Sequence, residues 1–156
     1  MKSKLKREDL LSKEDITNAV TEILSSYDLS TEDPILNKAF IVYQYYCEME
    51  SGGHESLFRW FGHHIKEMGI DAYSNILIGT LEEIEAHKYA LIEKTYGKEL
   101  WNLYSALENN EIHEDEFYTV IEKATDEYYK QNDSLRELLD TYFVSIFTDL
   151  IEVIEE

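Results

Sequence analysis

Five histidines and one cysteine are the residues whose types first suggest chemistry. His54-Glu55 and His113-Glu114 each begin like the zinc-protease helix motif, in which a second histidine one helical turn later must face the same metal. That position holds Phe58 in one case and Phe117 in the other, so neither motif is completed. A helix places His63 and Glu67 on one face, and with His64 and His54 nearby they make a conceivable metal-ligand set, although surface and capping histidines have the same spacing. Cys47 falls in the apolar phase of its segment, where a free thiol acts as a small hydrophobe. Being alone, it cannot form an intramolecular disulfide. The sequence contains no Gly-rich phosphate loop, dinucleotide fingerprint or calcium loop. No catalytic, cofactor-binding or metal-binding residue is assigned, no cofactor is expected, and the chain reads as non-enzymatic.

Carboxylates supply the positive signal. The 156 residues carry 33 acids against 14 bases, a formal charge of -19. They are unevenly placed: residues 79–156 hold twenty acids and six bases, whereas residues 1–13 hold five bases and two acids. Glu108, Glu111 and Asp115 recur at spacings of three and four, and Asp115, Glu122, Asp126 and Asp133 at seven, four and seven. If helical, they form a ribbon of carboxylates. One acid per ~5.4 Å turn on two neighbouring helices gives a charge every ~2.7 Å. Duplex DNA carries one per ~1.7 Å over both strands, or ~3.4 Å per strand. Such a face can occupy the phosphate-contacting groove of a DNA-binding protein; the plainer alternative is an acidic surface that keeps a helical domain soluble. The same charge argues against direct binding of nucleic acid or anionic lipid.

The elements that must carry these residues read as helices. Gly and Pro number only seven together, and the apolar spacing is three and four rather than two. Ser12 with Asp15 caps a first helix whose Ile16, Val20, Ile23 and Leu24 share a face. Asp33-Pro34 opens a second through Tyr43, Tyr46 and Cys47, stopped at Gly52-Gly53. A third runs from Glu55 to Met68 and stops at Gly69, where a positive φ is expected. Further stretches follow around Tyr73 to Ile84, Tyr89 to Gly97, Leu100 to Leu107 and Phe117 to Tyr128. After a break at Gln131-Asn132-Asp133, a last helix capped by Ser134 spans Leu135 to Ile154. Its broad apolar stripe is suited to burial in its own bundle or to a homodimer seam. The expected fold is all-α: one domain over residues 13–156, a bundle of about seven to eight helices with a long C-terminal helix. Residues 1–12 form a basic segment expected to be flexible, with Lys2, Lys4, Lys6 and Arg7 available to shield the acidic face.

The segment Glu48-Met49-Glu50-Ser51-Gly52-Gly53-His54-Glu55-Ser56-Leu57-Phe58 resembles the hallmark of a bacterial family of small acidic all-helical proteins named for a member that acts as a DNA mimic. The usual pattern is an acid, then Asn-Gly-Gly, an aromatic or His, then Gln and two aromatics. Glu48, Gly52, Gly53, His54 and Phe58 match, while Ser51, Ser56 and Trp60 stand where Asn, Gln and Asn are common. Leu81 to Ile92 is similar to another of the family's helices, with Glu85 in place of a usual glycine. The glycine pair is structural, two residues free to take positive φ so that one helix turns sharply into the next. The resemblance implies a dimer that occupies the DNA-binding face of a helix-turn-helix repressor and relieves repression.

The expected function is therefore a non-enzymatic DNA mimic, a transcription-regulating homodimer whose partner is a basic DNA-binding protein. Glu108, Glu111, Asp115, Glu122, Asp126 and Asp133 form its binding face. The alternative is an immunity or adaptor-type module that meets its partner through an aromatic and apolar face, for which 12 tyrosines are available. A third reading is a metal-dependent enzyme using His54, His63 and His64. The sequence shows neither an apolar run of membrane-spanning length nor an export signal, so a cytoplasmic location is expected.

Overall fold

The computed structural model describes residues 3–27, 29, 33–131 and 134–155. It is all-α apart from one pair of short strands. In chain order the elements are β1 (Ser3–Lys6), a 3-10 turn (Arg7–Leu10), α1 (Lys13–Ser25), α2 (Pro34–Met68) and α3 (Ile70–Glu83). Then come α4 (His87–Ile92), a π turn (Glu93–Gly97), α5 (Lys98–Glu108), α6 (Glu114–Tyr129), α7 (Ser134–Leu150) and β2 (Ile151–Ile154). Because α4, the π turn and α5 follow one another without a break, the described residues form six helical rods, fewer than the seven to eight expected. Gly97 reads as a stop in sequence, yet it stands at φ −56° and ψ −54° and the helix continues through it.

Local chemistry explains the starts. The Ser12 side chain accepts from the Asp15 backbone N–H and Asp15 reciprocates, a capping box that satisfies two of the unpaired donors of α1. Asp33 Oδ1 accepts from the N–H groups of Ile35 and Leu36, with Pro34 at the first helical position.

Inside α2 the helical dihedrals fail at Gly52 (φ −162°, ψ 18°) and Gly53 (φ 71°, ψ −158°), so two helical halves meet at a kink at the glycine pair, where the sequence places the break. The two glycines are needed for different reasons. Only Gly53 has a positive φ. Gly52 is extended, and what it supplies is space, since a Cβ there would lie 2.9 Å from Ser56 Cβ. Three further turns use positive φ, at Gly69 (89°) and, without a glycine, at Glu85 (69°) and Asn110 (59°). Glu85 separates α3 from α4 in a conformation that favours glycine.

The kinked α2 is the central element and touches α1, α3, α5, α6 and α7. Its Ile41, Val42, Tyr45, Leu57 and Ile65 are almost completely buried. Helix α7 packs on α1 and α2, burying Leu135, Leu139, Tyr142 and Phe143.

The C-terminal end differs from the expectation. The last helix stops at Leu150, and Ile151–Ile154 pairs in parallel with β1 in the register Ser3↔Ile151, Lys4↔Glu152, Leu5↔Val153 and Lys6↔Ile154. Three of these four C-terminal residues are β-branched, which favours a strand, and Lys4 faces an opposite charge in Glu152. Arg7 Nε donates to Glu155 Oε1 at 2.6 Å, and Leu10 is buried. Residues 3–10 of the basic segment therefore lie along the C-terminus. Lys2 and Asp133 lie outside the described residues. Among the described residues, no helix is long and apolar enough to cross a membrane.

Candidate functional site

Helix α6 sorts its residues cleanly. Phe117, Ile121, Ala124 and Tyr128 are buried, whereas Asp115, Glu122 and Asp126 are exposed. At 3.6 residues per turn these three acids fall within roughly 40° of one another on the side opposite the core, and the 1.5 Å rise separates them by about 10 Å and about 6 Å along the axis. Glu108 and Glu111 do not extend this line as a helix. The α5 helix ends at Glu108, whose carboxylate lies 3.6 Å from Lys66 Nζ. Glu111 sits in the following turn, where Asn110 takes φ 59°. Both are exposed, so they stand on the turn that leads into α6.

A second set of carboxylates, not singled out from the sequence, flanks α6 from the kink of α2. Tyr118 donates to Glu55 Oε1 at 3.0 Å and Tyr128 donates to Glu50 Oε2 at 2.9 Å. Arg59 Nη2 also donates to Glu55, at 3.3 Å. The two tyrosines are ten residues apart on α6, or about 15 Å, so Glu50 and Glu55 are held along nearly the same length of helix as Asp115 to Asp126. Burial first, then the bond to Glu50, pushes the Tyr128 phenol well above its ordinary range. The bond to Glu55 is the main cause of the upward shift at Tyr118. Both phenols are thereby kept as donors. These contacts join residues 63 and 78 positions apart, a separation that no local spacing reveals.

The motif residues divide between this surface and the interior. Glu48 Oε1 accepts from Ser56 Oγ at 3.3 Å across the kink, Gly53 lies against α6 with Thr125 Oγ1 3.6 Å from where its Cβ would be, and Phe58 packs edge-on against Trp101. His54 is fully buried. Its Nε2 donates to Glu93 Oε2 at 2.7 Å, and Tyr45 donates to the same oxygen at 3.1 Å. Glu93 opens the π turn and is 6% exposed. Gly97, one turn on, lets that carboxylate approach, since a Cβ there would stand 3.2 Å from Glu93 Oε1. Burial, followed by the nearby Glu93 charge, drives the phenols of Tyr45 and Tyr73 far above their ordinary range. His54 Nδ1 and the Tyr73 hydroxyl are buried without a hydrogen-bond partner among the described residues. The buried Glu93 carboxylate, bonded to both His54 and Tyr45, thus ties the kink of α2 to the π turn.

His63 is exposed and its ring lies tilted against that of His64, which in turn packs on Phe61. Among the described residues, no group of three or more His, Cys, Asp and Glu is arranged to hold a metal ion. Cys47 is half-buried, and burial raises its thiol above the ordinary value. In comparisons with protein-family models, curated proteins and solved structures, the chain matches none.

Proposed function

We propose that this protein is a non-enzymatic DNA mimic that occupies the DNA-binding face of a basic protein, such as a helix-turn-helix transcription regulator, and blocks its access to DNA. The observation that carries the reading is the solvent-facing line of Asp115, Glu122 and Asp126 on α6, flanked by Glu50 and Glu55, which tyrosine hydroxyls hold in place. Carboxylates fixed by hydrogen bonds lose less side-chain freedom on binding, so they present charge at lower cost than freely rotating ones. The family resemblance supports a homodimer as the binding unit, and long-range attraction speeds its encounter with a cationic partner.

Capture from a nuclease-treated lysate of the source cells, with the protein immobilised and a salt gradient for elution, tests this reading. A DNA-binding regulator released at moderate salt is the expected outcome, because exposed charges are screened within about 8 Å at physiological ionic strength. Retention of a partner through high salt contradicts it.

A second reading, an immunity or adaptor-type module with an aromatic interface, is favoured by Trp60, which is 66% exposed on α2. It calls for salt-insensitive binding that Trp60→Ala abolishes.

A further inference from the structure

Helices α1, α2 and α7 enclose a cleft of about 240 Å³ that shares no residue with the acidic face. Its floor is apolar, made by Leu139 and Phe143, each 1% exposed. On the α7 side stand Arg136 and Asp140, one turn apart, with Arg136 Nε 3.5 Å from Asp140 Oδ1. That separation is longer than a good charged hydrogen bond, and the Tyr46 hydroxyl of α2 is a second hydrogen-bond partner of Arg136, so a ligand carboxylate has to displace or join Tyr46 at the guanidinium. Arg136 is also the one base in α7. Across from them, Tyr43 and Tyr46 of α2 line the wall, and burial pushes the Tyr43 phenol up to about 12. The Thr17 and Thr21 hydroxyls of α1 are spent on the carbonyls of Glu14 and Asn18.

The cleft therefore offers one positive and one negative group at its rim over an apolar floor. A simple anion meets Asp140 and a simple cation meets Arg136, whereas a molecule bearing both charges a few ångströms apart satisfies the two together. The volume holds about eight water-sized groups, the scale of valine or leucine. We propose that this cleft binds a small zwitterion, a free α-amino acid with an aliphatic side chain. Arg136 takes the carboxylate, Asp140 the ammonium group, and the side chain rests on Leu139 and Phe143.

Calorimetric titration of the full chain with L-leucine, L-valine and L-isoleucine tests this, with isocaproate, which lacks the ammonium group, and isoamylamine, which lacks the carboxylate, as comparators. Saturable binding of at least one amino acid is expected, with both comparators at least tenfold weaker. Arg136→Gln and Asp140→Asn should each weaken binding at least tenfold. Their side chains are 62% and 26% exposed, so the unliganded melting temperature should stay close to that of the parent, and it reports directly on folding. Absence of saturable binding by all three amino acids at millimolar concentration overturns the proposal. So does isocaproate or isoamylamine binding as tightly as leucine, or affinity unchanged in a folded Arg136→Gln protein.

Discussion

Replacing Glu93 by alanine is expected to destabilise the fold by about 3–5 kcal/mol, since two buried donors are left without an acceptor at about 1–3 kcal/mol each. His54 Nε2–H and the Tyr45 hydroxyl both lose their acceptor, in a place where neither water nor another side chain replaces it, because both residues are 0% exposed. For a chain of this length each kcal/mol corresponds to roughly 2–4 °C, so Tm should fall by about 6–20 °C. Glu93→Gln keeps an acceptor oxygen in the same space and should cost clearly less. Denaturant unfolding followed by circular dichroism measures both, and a loss below about 1 kcal/mol for Glu93→Ala would mean that the buried network is not what ties α2 to the π turn.

Gly53→Ala is expected to cost about 1–3 kcal/mol, and it should do so through backbone conformation rather than crowding. At φ 71° and ψ −158° the residue occupies a region that essentially only glycine populates, yet the added methyl would meet nothing closer than Thr125 Oγ1 at 3.6 Å, an ordinary contact. The neighbouring Gly52→Ala fails for the opposite reason, a 2.9 Å approach to Ser56 Cβ from an extended backbone that any residue adopts. Pairing each change with Ser56→Gly separates the two mechanisms. The pairing should recover stability lost at Gly52 and leave the loss at Gly53 in place. Rescue at both positions, measured by the same unfolding curves, would contradict the conformational role of Gly53.

The parts of this fold that were legible in sequence are those decided within a few residues. Ser12 and Asp15 make a capping box because the two partners are three positions apart, and Gly69 ends α2 where the apolar pattern stops. Gly97 is a counterexample of the same range. It reads as a stop, but its lack of a side chain serves Glu93 inside a helix that continues. The C-terminal strand was missed because Ile151, Val153 and Ile154 continue the apolar phase of α7, and only the pairing with Ser3–Lys6, almost 150 positions away, turns them into a strand.

The candidate site divides in the same way. Asp115, Glu122 and Asp126 were readable as one line because helical spacing alone aligns them. Glu111 reads as part of that line only if the helix continues, and the positive φ of Asn110 interrupts it. Glu50 and Glu55 carry no local mark of belonging beside α6, since Tyr118 and Tyr128 reach them across the kink. Glu93 was one acid among many in sequence; its partners are 39 and 48 residues away.

The acidic face can be tested most directly by competition. The captured regulator is bound to its fluorescently labelled DNA site, and this protein is titrated in, alongside a variant carrying Asp115→Lys, Glu122→Lys and Asp126→Lys. These three side chains are exposed on α6, so the variant should fold. If the face stands in for DNA, the parent displaces the labelled site, does so less well as salt rises, and the reversed variant is weaker by at least tenfold. Displacement by the variant equal to that of the parent, or binding of the regulator to DNA and to this protein at the same time, would contradict mimicry.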